Sequence, residues 1–140
     1  MIASIEDRLA ISDLFTCYTC ALDAGDVDTL VNCFTADATL VSPAVGRHTG
    51  HAAIRAFAER FARFRAGGSQ LRHVISNLMM HVDGDQAHAT CYLTVFLTRD
   101  GKSRLLAPGV YDCDLRKADG VWRIQNRVVH HDHDYKLEGL

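Results

Sequence analysis

Apolar positions in the first part of the chain recur at helical spacing, with Ile11, Leu14, Phe15, Tyr18 and Leu22 on one face of a 3.6-residue period. Ser4 followed by Asp7 forms a variant capping box ahead of them, and the first helix is expected to end near Leu22. Ala24-Gly25 supplies a turn, and Asp26 is placed to cap a short second helix with Val27, Leu30, Val31 and Phe34 inward. Thr39 to Val41 reads as a short strand, broken by Pro43 and Gly46. Thr49 then caps a third helix carrying Ile54, Phe57, Phe61 and Phe64, which Gly67-Gly68 stops.

From Leu71 onward the period changes to two. Four strand-like runs, 71–82, 86–97, 103–116 and 120–132, are separated by Asp83-Gly84-Asp85, Asp100-Gly101 and Asp119-Gly120, the spacing of a meander of hairpins. Helices followed by strands predict an α+β fold, three helices packed on one face of a curved, mostly antiparallel sheet. No repeat or composition break divides residues 1–140, which read as a single domain. A bent sheet covered by helices encloses a cavity, the usual place for a small-molecule site. Strict alternation puts Leu71, His73, Ile75, Asn77 and Met79 on one face, so His73 and Asn77 lie among apolar side chains and need a hydrogen bond or a pocket.

Composition narrows the partners. The 15 basic and 17 acidic residues are scattered, with no basic block to meet a phosphate backbone, so no nucleic acid is expected. No apolar run approaches the roughly 20 residues of a membrane span, and no basic-then-apolar leader opens the chain. No membrane partner and a cytoplasmic location are therefore expected. Five cysteines make an odd count that suits reduced thiols, and Cys17-x-x-Cys20 falls inside a helix, where packing is its expected role. The absence of a Rossmann glycine pattern or phosphate loop gives no reason to expect a nucleotide cofactor.

One residue is out of place. Asp23 sits at the C-terminal end of helix one, where the helix dipole disfavours an anion, and such a charge suggests a function. Its expected partner is His73. Imidazole titrates near neutrality and can take a proton and return it, while a carboxylate on its second nitrogen fixes the tautomer. Tyr18 and Asp23 are about 140° apart on an ideal helix, so both face the cavity only if Asp23 leaves the helix at Ala24-Gly25. The cluster His130-His131-Asp132-His133-Asp134 holds possible metal ligands, but strand neighbours face opposite ways and no distant pair completes a zinc spacing. No metal site is expected; His131 is instead placed at the cavity mouth. His48, His51, His81 and His88 read as loop or exposed positions.

The ααβαββββ order carries a set of separated motifs: Ile11-x-x-Leu14, Tyr18, Leu22-Asp23 with Gly25-Asp26, Phe34-Thr-x-Asp37-Ala38, Gly50 with Ile54, His73 with Asn77, and Asp119-Gly120-Val121-Trp122-Arg123-Ile124. Together they resemble the SnoaL-like branch of the nuclear transport factor 2-like (NTF2-like) superfamily, which is similar to scytalone dehydratase, hexachlorocyclohexane dehydrochlorinase and the bile-acid dehydratases. The resemblance implies a cone-shaped α+β barrel with the ligand inside, His73 as base and Asp23 as its assistant. Tyr18 matches a tyrosine of the dehydratase members, and Arg127 lies where the dehydrochlorinase has a pocket arginine. By alternation, however, Arg127 shares a face with Arg123 and Gln125, opposite Trp122 and Ile124. It reaches the cavity only if the helix-covered face is unexpectedly polar or a bulge shifts the register.

The resulting expectation is a cofactor-independent lyase or isomerase of dehydratase, dehydrohalogenase, retro-aldol or cyclase type. Its substrate is a small hydrophobic, cyclic or aromatic molecule, lined by Phe15, Phe57, Ile75, Met79, Leu93 and Val95, with Tyr18 or Asn77 donating to a developing oxyanion. The alternative is a non-catalytic ligand-binding or assembly module, such as a ring-hydroxylating dioxygenase small subunit. An Asp23–His73 separation too long for a hydrogen bond, or a filled cavity, favours that alternative. Tyr92, Phe96 and Val110 on the opposite sheet face suggest a subunit interface, a homodimer first and a homotrimer second.

Overall fold

A computed structural model describes residues 3–140. Helix α1 (Ile5–Ala24) starts where Ser4 Oγ accepts the Asp7 backbone N–H at 3.1 Å and ends at Gly25, whose φ of 73° is left-handed. A Cβ at Gly25 would also sit 3.5 Å from Ala62, so this glycine lets α1 cross closely over the third helix. Asp26 caps α2 (Val27–Asn32), accepting from the Thr29 backbone at 3.2 Å and the Thr29 hydroxyl at 2.6 Å. The third helix, α3 (Gly50–Ala66), follows Thr49, whose side chain makes no capping bond. Ile54, Phe57 and Phe64 form its buried stripe, and Phe61 is only partly covered.

Seven strands occur across the described residues, and their main path runs β2 (Gly46–Thr49), β1 (Phe34–Ser42), β7 (Val121–His131), β6 (Gly109–Ala118), β4 (Gln86–Arg99) and β3 (Gln70–Asp83). Strand β1 (Phe34–Ser42) is much longer than the expected Thr39–Val41, because it lies parallel to β7 (Val121–His131) and antiparallel to β2 (Gly46–Thr49). Pro43 and its neighbours form the β1–β2 turn rather than ending the sheet. Asp37 is tolerated in β1 because it is exposed and accepts from the Thr35 hydroxyl, the Gln125 amide and Arg116.

The expected 103–116 run is two strands, β5 (Lys102–Leu105) and β6 (Gly109–Ala118), interrupted at Leu106-Ala107-Pro108, where proline has no N–H to give the ladder. Strand β5 folds back on one end of β4 (Gln86–Arg99), and β6 pairs with the other end. The opposite edge of β4 carries β3 (Gln70–Asp83).

Two bulges revise the expected faces. In β3 the pairing with β4 slips between Ser76 and Met79, where Asn77 takes a φ of 55°, a left-handed conformation that asparagine tolerates better than most residues. After this point Leu78, Met80 and Val82 turn inward, while Asn77 is exposed and Met79 is 73% exposed. In β7 the pairing with β6 slips between Asp114 and Leu115, which makes Gln125 an extra residue. Trp122 and Ile124 point inward before it, and Arg127 and Val129 after it. The register shift required to bring Arg127 to the helix-covered face is therefore present.

The core lies between the three helices and the concave sheet face, centred on Ile11, Phe15, Phe34, Leu40, Ile54 and Ile124. Trp122 closes one end, its indole N–H donating to Asp7 at 2.8 Å; that bond, with Lys117, holds the Asp7 carboxyl below its ordinary pKa. All five thiols are free, and Cys33, Cys91 and Cys113 are buried. Cys17 and Cys20 are exposed on α1, so the packing role expected of that pair does not hold. Val74, Tyr92, Phe96 and Leu105 leave apolar surface on the outer sheet face. No described helix is long and apolar enough to cross a membrane.

Candidate functional site

Asp23 does not leave the helix. It stays in the last turn of α1 and is buried because β3 runs alongside that turn, so no reach across the cavity is needed. Gln70 at the start of β3 fastens the junction, its amide donating to the Asp23 carbonyl at 2.9 Å. Three residues further on, the His73 backbone N–H donates to Asp23 Oδ2 at 2.8 Å, and His73 Nδ1 lies 2.5 Å from Asp23 Oδ1. One histidine thus engages both carboxylate oxygens. These two bonds compensate an anion at a helix end whose last turn contains no basic residue. Because a carboxylate only accepts, Nδ1 carries the proton and Nε2 is left as the basic nitrogen. The His73 and Asp23 side chains are 8% and 9% exposed.

His73 opens onto an interior cavity. Its wall holds Tyr18, Phe57, Leu93, Val95 and His131, all named from the sequence, and Leu22 and Leu71 flank the dyad. Tyr111, Ser42, Val129, Tyr135 and Leu137 also line it and were missed. Parity offered a signal for Tyr111, which neighbours the outward-facing Val110; Tyr135 and Leu137 follow β7 in a segment with no period to read.

Four expected lining residues sit elsewhere. Phe15 is fully buried beneath the wall, and Ile75 packs against the core without reaching the cavity. Asn77 and Met79 are on the outside, because the β3 bulge reverses the alternation. Asn77 therefore cannot donate to a bound oxyanion.

The free volume is about 40 Å³, room for no more than a few waters at the ~10–15 Å³ that one requires. Tyr135 and Leu137 roof it, and the same two residues line an outer groove of about 630 Å³ with Pro43, Arg60 and Leu140. The roof is held by side chains: Tyr135 stacks edge-on to His131 with ring centroids 4.8 Å apart, and Arg60 donates to the Leu140 carbonyl at 3.3 Å. Burial, and secondarily the nearby His73, lower the His131 pKa from its ordinary value. His48 is half-buried, not a free loop residue; its ring meets Phe57 at 5.3 Å.

Arg127 is fully buried one layer below this wall. Its guanidinium carbon lies 4.2 Å from the Tyr18 ring centroid, 4.1 Å from Tyr111 and 5.0 Å from Phe15. Nε donates to Cys113 Sγ at 3.2 Å, while Nη1 and Nη2 have no hydrogen-bond partner among the described residues. Cation–π contacts contribute about 1–2 kcal/mol each, against an effective desolvation cost of several kcal/mol for a buried ion. Burial pushes the Tyr18 hydroxyl up to about 12, and Tyr111 is raised well above its ordinary value for the same reason. Both therefore remain neutral donors at the cavity wall.

The arrangement supplies an oriented base, neutral phenols, a buried cation and an apolar wall, a set suited to proton transfer on a small organic molecule. Uncharacterized protein Rv2910c of Mycobacterium tuberculosis is 29% identical over 136 residues, covering 91% of this chain and 86% of the relative. An NTF2-like protein with a cystatin-like fold from Novosphingobium aromaticivorans superposes with a TM-score of 0.83 at 25% identity, over 94% of this chain and 85% of that one. Aln2 from a Streptomyces species gives 0.81 at 25% identity, over 94% and 95%. The SnoaL-like domain model matches residues 3–128. The chain therefore belongs to the SnoaL-like domain family and has the α+β NTF2-like fold, its helices packed on a curved mixed sheet.

Proposed function

We propose that this chain is a cofactor-independent lyase or isomerase in which His73 is the general base and Asp23 orients it. The observation that carries the reading is the two-point engagement of Asp23 by His73, which leaves Nε2 as the basic nitrogen beside an apolar cavity. General-base catalysis contributes about 10²–10⁴-fold, enough for a C–H bond already activated by a carbonyl or an adjacent leaving group. Nε2 takes that proton, the Asp23 carboxylate stabilises the imidazolium that forms, and a phenol of Tyr18 or Tyr111 donates to the developing oxyanion. The imidazolium then returns the proton to the leaving group or to another carbon. The apolar wall favours a small hydrophobic, cyclic or aromatic substrate.

The small free volume is the one observation that favours a non-catalytic module. It is reconciled with catalysis if a ligand displaces the Tyr135–Leu137 roof, which has no strand ladder to break. Deuterium uptake tests the reading: a panel of cyclic and aryl ketones is incubated with the protein in D₂O, and loss of the α-proton signal is followed by NMR. The wild-type chain is expected to accelerate exchange for at least one member, and His73→Ala to abolish the acceleration. Equal exchange by the two proteins, or none by the wild type across the panel, would overturn it.

A further inference from the structure

We infer that the cavity selects ligands bearing a negative charge, of the carboxylate or phenolate class, and that Arg127 is the fixed counter-charge behind its wall. This rests on the cavity being a ligand site, but not on His73 being a base.

Arginine remains ionised at all physiological pH values, so burying it fully buries a cation. Buried charges are ordinarily paired, yet Arg127 forms no ion pair among the described residues. Among the described residues its only hydrogen bond goes to a thiol, and Nη1 and Nη2 are without a partner. Asp23, the carboxylate behind His73 and outside the cavity lining, has one oxygen on the His73 backbone N–H and the other on its ring.

The position of the charge matters as much as its lack of a partner. Tyr18 and Tyr111 belong both to the aromatic cage around the guanidinium and to the cavity wall, so one ring separates the cation from the ligand space. At that range, inside the protein, salt does not screen the field and the effective dielectric is far below that of water. An anion in the cavity receives that attraction directly, and a neutral molecule of the same shape does not. A purely structural arginine would be expected to hold its surroundings together through several hydrogen bonds; this one makes one.

Thermal shift at fixed pH and ionic strength tests the inference with matched pairs: formate, acetate and benzoate against formamide, acetamide and benzamide. In the wild-type chain at least one carboxylate is expected to raise Tm by about 4 °C at roughly tenfold its Kd, and its amide partner to raise it much less. Arg127→Met is expected to lose the carboxylate response while melting no lower than wild type, because a volume-matched apolar chain replaces an unpaired cation. Arg127→Lys is expected to retain part of the response; because the readout is Tm and needs no turnover, it is separate from the base assignment. Equal responses to acid and amide, no response to any carboxylate, or a response that survives in Arg127→Met would each overturn it. So would an Arg127→Met that melts well below wild type or does not fold, since the guanidinium would then be structural.

Discussion

Replacing Asp23 by asparagine alters charge and tautomer without altering shape. The asparagine amide has one accepting oxygen where the carboxylate has two. The His73 backbone N–H can only donate and is fixed in β3, so it claims that oxygen. The amide NH₂ is then turned toward Nδ1, which must become the acceptor, and the imidazole proton moves to Nε2. The nitrogen that was basic now carries a hydrogen. Two charge-assisted hydrogen bonds at 2.8 and 2.5 Å become neutral ones, each weakened by about 1 kcal/mol. The expected stability loss is about 2 kcal/mol, or roughly 6 °C in Tm for a chain of this size. Any activity should fall by about 10²–10⁴-fold, the usual contribution of a general base. The tautomer can be read without a substrate by ¹⁵N NMR of histidine-labelled protein, with His73→Gln identifying the resonances. The Nδ1 and Nε2 shifts are expected to exchange character in Asp23→Asn. A variant that keeps its proton on Nδ1, or that melts at the wild-type temperature, would refute the account of how Asp23 acts.

Two further outcomes follow from neighbouring parts of the structure. A Cβ at Gly109 would lie 2.1 Å from the His130 carbonyl oxygen, which is backbone and cannot rotate away. Gly109→Ala should therefore part β6 from β7 at the end that carries His131, costing about 3 kcal/mol in denaturant unfolding; an unchanged midpoint would contradict that close approach. His131, whose pKa is lowered in the folded chain, takes up its proton at higher pH when unfolded. Its contribution to stability is thus present above about pH 6.5 and is lost progressively as pH falls toward the folded value. His131→Asn should flatten the decline in Tm between roughly pH 6.5 and 5, leaving the part due to His48, whose pKa burial also lowers. Superimposable Tm–pH profiles would count against it.

The helices were legible because their signals are local. Ser4, Gly25 and Asp26 cap or end their helices through groups three or four residues away, and the hydrophobic stripes needed no tertiary information, except that Phe34, expected on α2, begins β1. The meeting of Asp23 and His73 was legible for a different reason: an acid at the wrong helix end and a histidine within an apolar strand both lack an explanation unless they are together. The error was in the route. Asp23 reaches His73 from within the helix, because β3 passes beside the last turn. Alternation failed wherever a bulge intervened, and neither bulge is marked by glycine or proline. Asn77 interrupts β3 through its own backbone conformation, and Gln125 is accommodated in β7 by a slip that only the pairing with β6 reveals. Those two residues decide that Asn77 and Met79 face out and that Arg127 faces in. The length of β1 was hidden for a similar reason, since its parallel partner more than eighty residues away pairs with it at Phe34 and again from Thr39, across an irregular polar stretch.

The Tyr135–Leu137 roof has a consequence for how this scaffold can change. The dyad is fixed by α1 and β3, near the start and middle of the chain, whereas the cover over the cavity comes from residues after β7 that join no ladder. Reactivity and admission are thus encoded in separate stretches of sequence. Substitutions in a few residues of the cover can alter which molecules are admitted while the Asp23–His73 pair keeps its geometry, so that under the proposed function one pair would meet a succession of different guests.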